Sequence, residues 1–345
     1  MAVTVSDVAR RAGVSVSTVS RALAHSRLVS PETTSLVEAT ATKLGYRPNL
    51  LARGLSTGRS ECLGLVLPDL ENPFFSSIAK GIQAHARRRG YSVLMADTDE
   101  DATLEADLVR RLASQSDGVI VCSPRSNLAG IQTLVSQVPL VLVNRPADNL
   151  TSVIVDETDR MRQAVRHLAA LGHTRIAYVG GPKASWSDQT RHQAFLDTMA
   201  TVPGADAVDL GHFQPFYHSG AAAADLAAVS GATAVIAYND LIAIGLVQRL
   251  QARGLAVPRD LSVVGIDDIP QASWSSPPLT TVSTVRRLLA RAAVDALLDH
   301  TDEPTKHVVP VELIVRASTG EAPPAAEQRT SPSHKLVMSG VTGPE

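Results

Sequence analysis

VTVSDVARRAGVSVSTVSRAL, residues 3–23, is where the organisation of this chain becomes readable. Thr4-Val5-Ser6-Asp7 has the spacing of a capping box, with Thr4 as N-cap and Asp7 in place of the usual Glu. Val8, Ala9 and Ala12 then form one apolar face up to Gly13. Gly13-Val14-Ser15 reads as a turn, in which Gly tolerates positive φ and Ser15 caps the next helix. That helix runs from Val16 to about Ala24, with Val19, Ala22 and Leu23 inward and Val16, Ser17, Ser20 and Arg21 outward. A third helix opens at Ser30-Pro31 and closes at Gly45, its inward stripe being Leu36, Val37, Ala41 and Leu44. Two short helices about a Gly turn, braced by a third, make a helix-turn-helix head over residues 1–46.

Charge supports the division. The first 60 residues carry eight Lys and Arg against three acids, whereas the whole chain has a net charge of −2. A basic head on an acidic body points to a polyanionic partner for the head. Residues 47–60 follow as a linker in which Pro48-Asn49 starts a short helix. Gly54 and its few turns leave that helix marginal in water, so it orders only when something else holds it.

From Cys62 the texture changes. Short apolar runs at 62–67, 92–96, 118–122, 139–143, 152–155, 175–179, 233–237, 262–266 and 308–315 alternate with amphipathic stretches at 75–89, 103–113, 158–171, 190–200, 219–229, 240–253 and 284–298. This is the pattern of βαβ units and parallel sheets. The length exceeds one comfortable sheet, so the body over 61–320 is expected as two parallel-sheet lobes with a cleft between them. The first lobe takes about 61–156 and 285–320, the second about 157–284, with crossovers at Asp156-Glu157 and within Leu279–Val285. Residues 321–345, rich in Pro, Ala, Ser and Thr, read as a disordered tail.

Several function classes fall away. At 44% hydrophobic residues the chain buries a core, yet no apolar run approaches the ~20 residues that span a bilayer. The N-terminus lacks the apolar segment of a secretory signal, which makes a cytoplasmic location the expectation. Two cysteines, Cys62 and Cys122, make neither a disulfide framework nor a four-cysteine zinc site. The pairs His167/His173 and His212/His218 lack metal-ligand spacing and read as surface or turn residues. No nucleophile–base set, P-loop or dinucleotide loop is present, and no cofactor is expected.

The chain resembles the lactose/galactose-repressor family of bacterial transcription regulators over about residues 3–320. The likeness is carried by residues 3–23, by LGYRPNLLARGLSTGRS (44–60), NPFF (72–75), LGHTRIAYVGG (171–181), AYND (237–240), LSVVGIDD (261–268), PPLTTV (277–282) and LIVRASTG (313–320). It implies a homodimer whose heads bind a near-palindromic DNA operator. It implies a body similar to periplasmic sugar-binding proteins, with a small-molecule effector in the cleft. Most members repress. The absence of a leucine heptad in the tail favours a dimer over a tetramer.

Within that frame the second head helix enters the major groove. Arg21 has the donor fork for the O6 and N7 of guanine, and Val16 offers an apolar contact to a thymine methyl. Ser17 reads bases loosely. Thr18, Ser20, Ser30 and Thr33 suit phosphate contacts, with the caps Thr4 and Ser15 in the same set. By resemblance, Asn49, Ala52 and Leu55 match the family's hinge, where the leucine wedges into the minor groove; Arg53 adds a phosphate or groove contact. In the body, Asn239 and Asp267 end strands where parallel sheets place ligands. Arg191 matches the family's ligand-binding arginine, and an Arg–Asp pair across the cleft would hold vicinal hydroxyls. Phe74 and Phe75 match the cleft mouth, Asn144 stands where many members have Asp, and Ser187 lies in a loop that varies with the effector. Phe213, Trp186 and Trp274 are candidates for an aromatic platform. A sugar is the favoured effector and a purine the alternative. A transporter's solute-binding protein and a two-lobed enzyme are the competing classes. The head and the absence of signal peptide argue against the first, and the missing catalytic set against the second.

Overall fold

The structure, a computed structural model, describes residues 3–23, 28–46, 59–133, 138–300 and 303–324. The head contains α1 (Val5–Ala12), α2 (Val16–Leu23) and α3 (Pro31–Leu44). Each begins where a side chain meets an orphan amide. Thr4 accepts from the Asp7 amide while Asp7 accepts from the Thr4 amide, closing the capping box. Ser15 accepts from Thr18 at 3.1 Å, and Ser30 from Thr33 at 3.3 Å. Gly13 and Gly45, both at φ 69°, end α1 and α3 in the left-handed region. Val8, Ala9, Val19, Ala22, Val37 and Ala41 form the head's core. Leu36, expected in that core, is 50% exposed. So small a bundle covers only the narrow stripe Val37–Ala41–Leu44, and Leu36 lies about 100° round the helix from Val37.

The body runs β1 (Cys62–Leu67), α4 (Pro73–Arg88), β2 (Ser92–Asp97), α5 (Glu105–Ala113), β3 (Val119–Cys122), α6 (Ala129–Gln132), β4 (Leu140–Val143) and β5 (Thr151–Val155). It continues through α7 (Glu157–Ala170), β6 (Arg175–Gly180), α8 (Trp186–Met199), β7 (Asp206–His212), α9 (Ser219–Val229), β8 (Ala234–Ala237), α10 (Asp240–Ala252), β9 (Ser262–Asp267) and α11 (Pro270–Trp274). It ends with β10 (Thr280–Thr284), α12 (Arg286–Leu298), β11 (Lys306–Val309) and β12 (Val311–Ile314). One sheet has the order β11-β5-β4-β3-β1-β2 and is parallel throughout. The other has the order β12-β10-β9-β8-β6-β7 and is parallel except for the antiparallel edge pair β10–β12. Strands β1, β3, β4, β5, β8 and β9 are almost wholly buried, as their continuous apolar runs require.

Two expectations change. The run 308–315 is not one strand, and residues 285–320 do not all join the first lobe. Pro310 has no N–H to continue a ladder, and the chain breaks there. β11 stays beside β5 in the first sheet, while β12 pairs with β10 in the second. The chain therefore passes between the sheets at Asp156, at Val285 and at Pro310. β10 itself is hydroxyl-rich (TTVST) yet largely buried: Thr281 donates to Asp240 at 2.6 Å, and Thr280 and Thr319 bond at 3.0 Å, while the buried Thr284 Oγ1 has no partner among the described residues. His173 also departs from expectation. It is 1% exposed and joins Thr233 (2.8 Å) to the Gly320 carbonyl (3.0 Å), tying the final segment to the second sheet.

Candidate functional site

The carboxyl ends of both sheets face a common cleft. From the first lobe it is lined by Asn72, Phe74 and Phe75 at the start of α4, Ser123 and Arg125 beyond β3, and Asn144 beyond β4. From the second it is lined by Ser187 and Arg191 of α8, Pro215 beyond β7, Tyr238 and Asn239 beyond β8, and Asp267 at the end of β9. Side chains at strand ends converge here because every parallel strand in a lobe points the same way. The space they leave is about 20 Å³, where ~10–15 Å³ holds one water. Small-molecule pockets enclose ~300 Å³ or more, so a ligand enters only as the lobes or their side chains move apart.

The cleft is built from strained and buried polar groups. Asn144 sits at φ 56° and is 4% exposed, and its Oδ1 has no partner among the described residues. Asp267 sits at φ 112° and is 5% exposed. Left-handed backbone at non-glycine residues costs ~1–3 kcal/mol each, and such strain collects at functional sites. Asn239 is committed at both ends of its amide. Its Oδ1 caps α10 through the Ile242 amide (2.9 Å), and its Nδ2 donates to the Pro215 carbonyl (3.0 Å). Asn72 likewise caps α4 through the Phe74 amide at 3.0 Å. Phe74 and Phe75 pack edge to face, ring centres 5.2 Å apart, and serve the core and the cleft wall together.

Arg191 does not pair with Asp267, and the two lie on the same lobe rather than across the cleft. Its Nε and Nη2 fork onto Glu157 at 2.8 and 3.0 Å, its Nη1 donates to the Tyr238 carbonyl at 2.7 Å, and its guanidinium lies 4.8 Å from the Tyr238 ring centre. Arg160, fully buried, reaches the same Glu157 at 3.1 Å and stands 4.0 Å from Asp267. Burial pushes Glu157 up, but Arg160 and Arg191 more than offset it and hold the carboxyl below its ordinary range. For Asp267 burial wins: the carboxyl is pushed up to about 6 despite the same two arginines.

Sequence reasoning missed Asn72, Ser123, Arg125, Pro215 and Tyr238 among the lining residues. Arg125 follows a strand end as Asn144 does, and that position was its signal. It forks onto Glu100 at 2.7 and 2.8 Å, and Glu105 accepts from the Arg125 and Ser126 amides at 2.5 and 2.9 Å. The aromatic platform is not where it was expected. Trp274 ends the short α11 and is 70% exposed, Phe213 follows the edge strand β7 and packs against the core, and Trp186 borders a separate groove between α7 and α8 with Thr158 and Gln193. Besides Phe74 and Phe75, the ring lining the cleft is that of Tyr238, which lies over Gly181 so closely that a Cβ there would sit 2.4 Å from it.

In the head, Val16, Ser17, Ser20 and Arg21 form one exposed face of α2, Val16 being 43% exposed. Ser15 bonds Ser17 and Thr18, both at 2.8 Å, and Ser30 bonds Thr33 at 3.2 Å. These hydroxyls, with Thr4, are engaged at helix starts. Asn49, Ala52, Arg53 and Leu55 of the hinge, and residues 325–345 of the tail, lie outside the described residues.

Comparison with known proteins agrees with this geometry. Residues 4–49 match the family described as bacterial regulatory proteins, lacI family, and residues 165–319 match the periplasmic binding protein-like domain. The HTH-type transcriptional regulator DegA of Bacillus subtilis is 31% identical over 332 residues, 92% of this chain and 98% of its own. The solved lac repressor dimer, bound to operator and the anti-inducer ONPF, superposes with a TM-score of 0.83 at 30% identity, covering 93% of this chain and all of that one. The solved complex of the transcriptional regulator CelR with cellobiose gives a TM-score of 0.68 at 30% identity over 92% of this chain and 99% of that one. These relatives are transcription regulators, not enzymes. With a helix-turn-helix head, two lobes of periplasmic-binding-protein type and full-length relatives of the same build, the chain belongs to the lacI family of DNA-binding transcriptional regulators.

Proposed function

We propose that this regulator is a homodimeric repressor of sugar-uptake or catabolism genes. It binds a near-palindromic operator and is controlled by a sugar in the interlobe cleft. The observation that carries the effector reading is the convergence of Asn144, Ser187, Arg191 and Asp267 with Phe74 and Tyr238 on one buried site. Planar polar groups beside rings suit a ring with several hydroxyls. A CelR–cellobiose complex on the same fold, and the lac repressor's dimer on its operator, support the same reading.

On the DNA side, Arg21 reads guanine and Val16 a thymine methyl, with Ser17 a looser contact. Thr18, Ser20, Ser30 and Thr33, with the caps Thr4 and Ser15, hold the phosphates. Asn49, Ala52, Arg53 and Leu55 supply the hinge. The test is selection and sequencing of genomic fragments retained by the full-length protein, followed by calorimetric titration with sugars and with purine bases. One dominant near-palindromic site beside sugar genes, with a sugar that binds, supports the proposal. Retained fragments without a shared motif, or binding of a purine alone, overturns it.

A further inference from the structure

We infer that Asp188 and His212, neither of which lines the cleft, are positioning residues for its second-lobe wall, and that His212 holds a proton on Nδ1 to do so. The inference rests on the cleft being the effector site. Asp188 lies in the first turn of α8 and is 0% exposed, and no lysine or arginine bonds it among the described residues. A buried carboxylate is tolerated where hydrogen bonds replace the water it has lost. Its Oδ1 accepts from the Tyr178 hydroxyl at 2.8 Å and from the Gly181 amide at 2.7 Å, and its Oδ2 faces His212 Nδ1 at 3.1 Å. The same Nδ1 stands 3.1 Å from the Gly181 carbonyl. A carboxylate and a carbonyl are both acceptors, so Nδ1 has to be the donor.

The pair acts on the cleft through Gly181 and through the start of α8. Gly181 is pinned at its amide by Asp188 and at its carbonyl by His212, and the Tyr238 ring lies directly against it. The Tyr238 hydroxyl bonds Ser185 Oγ at 3.1 Å, and the same Oγ accepts from the Asp188 amide at 3.2 Å. Arg191, the next turn of α8, donates to the Tyr238 carbonyl at 2.7 Å. Ser187 adjoins Asp188 in the chain. A shift of Asp188 therefore moves Ser187, Arg191 and Tyr238 together, and all three line the cleft. His212 ends β7, the edge strand of the second sheet, so it fastens this group to the sheet from outside the cleft. Small losses of placement at such supporting residues weaken a site without removing any group that touches the ligand.

The test has two parts, both on the full-length protein. In NMR with nitrogen-15-labelled histidine, the His212 signal, assigned by its loss in His212→Asn, is expected to show a protonated Nδ1. A bare Nδ1, with the hydrogen on Nε2 alone, overturns the inference. Calorimetric titration with D-glucose, D-galactose, D-ribose, maltose, cellobiose and hypoxanthine then compares variants on a probe that the wild type binds. Asp188→Asn sets an amide donor against the Nδ1 donor or takes one acceptor from the other partners, and is expected to weaken binding about tenfold or more. His212→Gln, whose amide extends to the place of Nε2, leaves Asp188 without its donor and is expected to do the same. His212→Asn, whose amide stands at the place of Nδ1, is expected to bind within about threefold of the wild type. A merely space-filling role would favour the longer Gln over Asn or treat them alike, and that result overturns the inference. Should Asp188→Asn not fold, the two His212 variants decide. Equal binding by the wild type, Asp188→Asn and His212→Gln overturns the inference while leaving the cleft as the site. Binding of hypoxanthine alone overturns the sugar reading, and the same variants are then scored on hypoxanthine. Binding of no probe overturns the site reading and the inference with it.

Discussion

Arg21 is the residue whose replacement says most about the head. It is exposed on the same face of α2 as Val16, Ser17 and Ser20, opposite the face whose buried Val19 and Ala22 hold the helix in place. Arg21→Ala is expected to reduce discrimination between the selected operator and its single-base variants at one position. A bidentate guanine contact is worth ~1–3 kcal/mol, or about 5–150-fold. Competition binding checks this, and an equal loss on every sequence would reduce Arg21 to a phosphate contact. Asp267 is the corresponding residue in the cleft. Its folded carboxyl titrates near 6, against an ordinary value of 3.8. Between about pH 4 and 6 the folded chain holds a proton that the unfolded chain has released. The residue therefore costs stability progressively as pH rises through that window, approaching ~3 kcal/mol above it. Relative to the wild type, Asp267→Asn should gain stability between pH 4 and pH 7. Urea unfolding at several pH values measures the difference, and a pH-independent offset would refute the assignment.

At the scale of elements, helix starts are the most legible feature. Thr4, Ser15 and Ser30 were expected as caps, and each accepts the amide three residues on because so short a local motif needs no tertiary partner. Ser30→Ala should lower the protection of the first-turn amides of α3 by ~1 kcal/mol in hydrogen exchange, whereas Ser30→Asp should keep it. If Ser30 also meets a phosphate, Ser30→Asp weakens operator binding although the cap survives; unchanged binding would leave Ser30 a cap alone. The buried apolar strands were equally legible, since a parallel strand covered on both faces has to be a continuous apolar run. β7 and β10 were not. β7 is an exposed edge strand with mixed polarity, and β10 carries four hydroxyl residues, of which Thr280 and Thr281 are held by partners from α10 and from residues 318 and 319. Pro310 was in plain view, but that it hands the chain from one sheet to the other follows only from where β5 and β10 lie.

For the whole molecule, the asymmetry of charge makes a prediction that no single residue carries. Two basic heads that each neutralise three phosphates set a slope of log affinity against log salt of about −5. Arg21→Ala, as a base contact, should leave this slope nearly unchanged while lowering affinity. Binding that hardly varies between 50 and 200 mM salt would remove the electrostatic role of the head. The apolar core that runs from Phe74, Phe75 and Ile78 through Ala237 and Tyr238 to Leu246 joins both lobes behind the cleft. Opening the cleft therefore disturbs packing as well as polar contacts, and this is how a ligand's binding energy would reach the lobe arrangement.

The sequence by itself determined the head, its caps and the exposed face of α2, the alternation that makes two sheets, and the strand ends at which Asn239 and Asp267 stand. All of these rest on local periodicity, on cap chemistry, or on the rule that ligands gather at the carboxyl ends of parallel strands. Only the tertiary structure decided who partners whom. Arg191 answers to Glu157 rather than to Asp267, Arg125 and Tyr238 enter the cleft while Trp274 and Phe213 stay out, and β12 leaves the lobe that β11 joins. The physical reason is the same in each case: these are contacts between residues tens to hundreds of positions apart. Their pairing is set by burial and charge in the folded core, which no local pattern records.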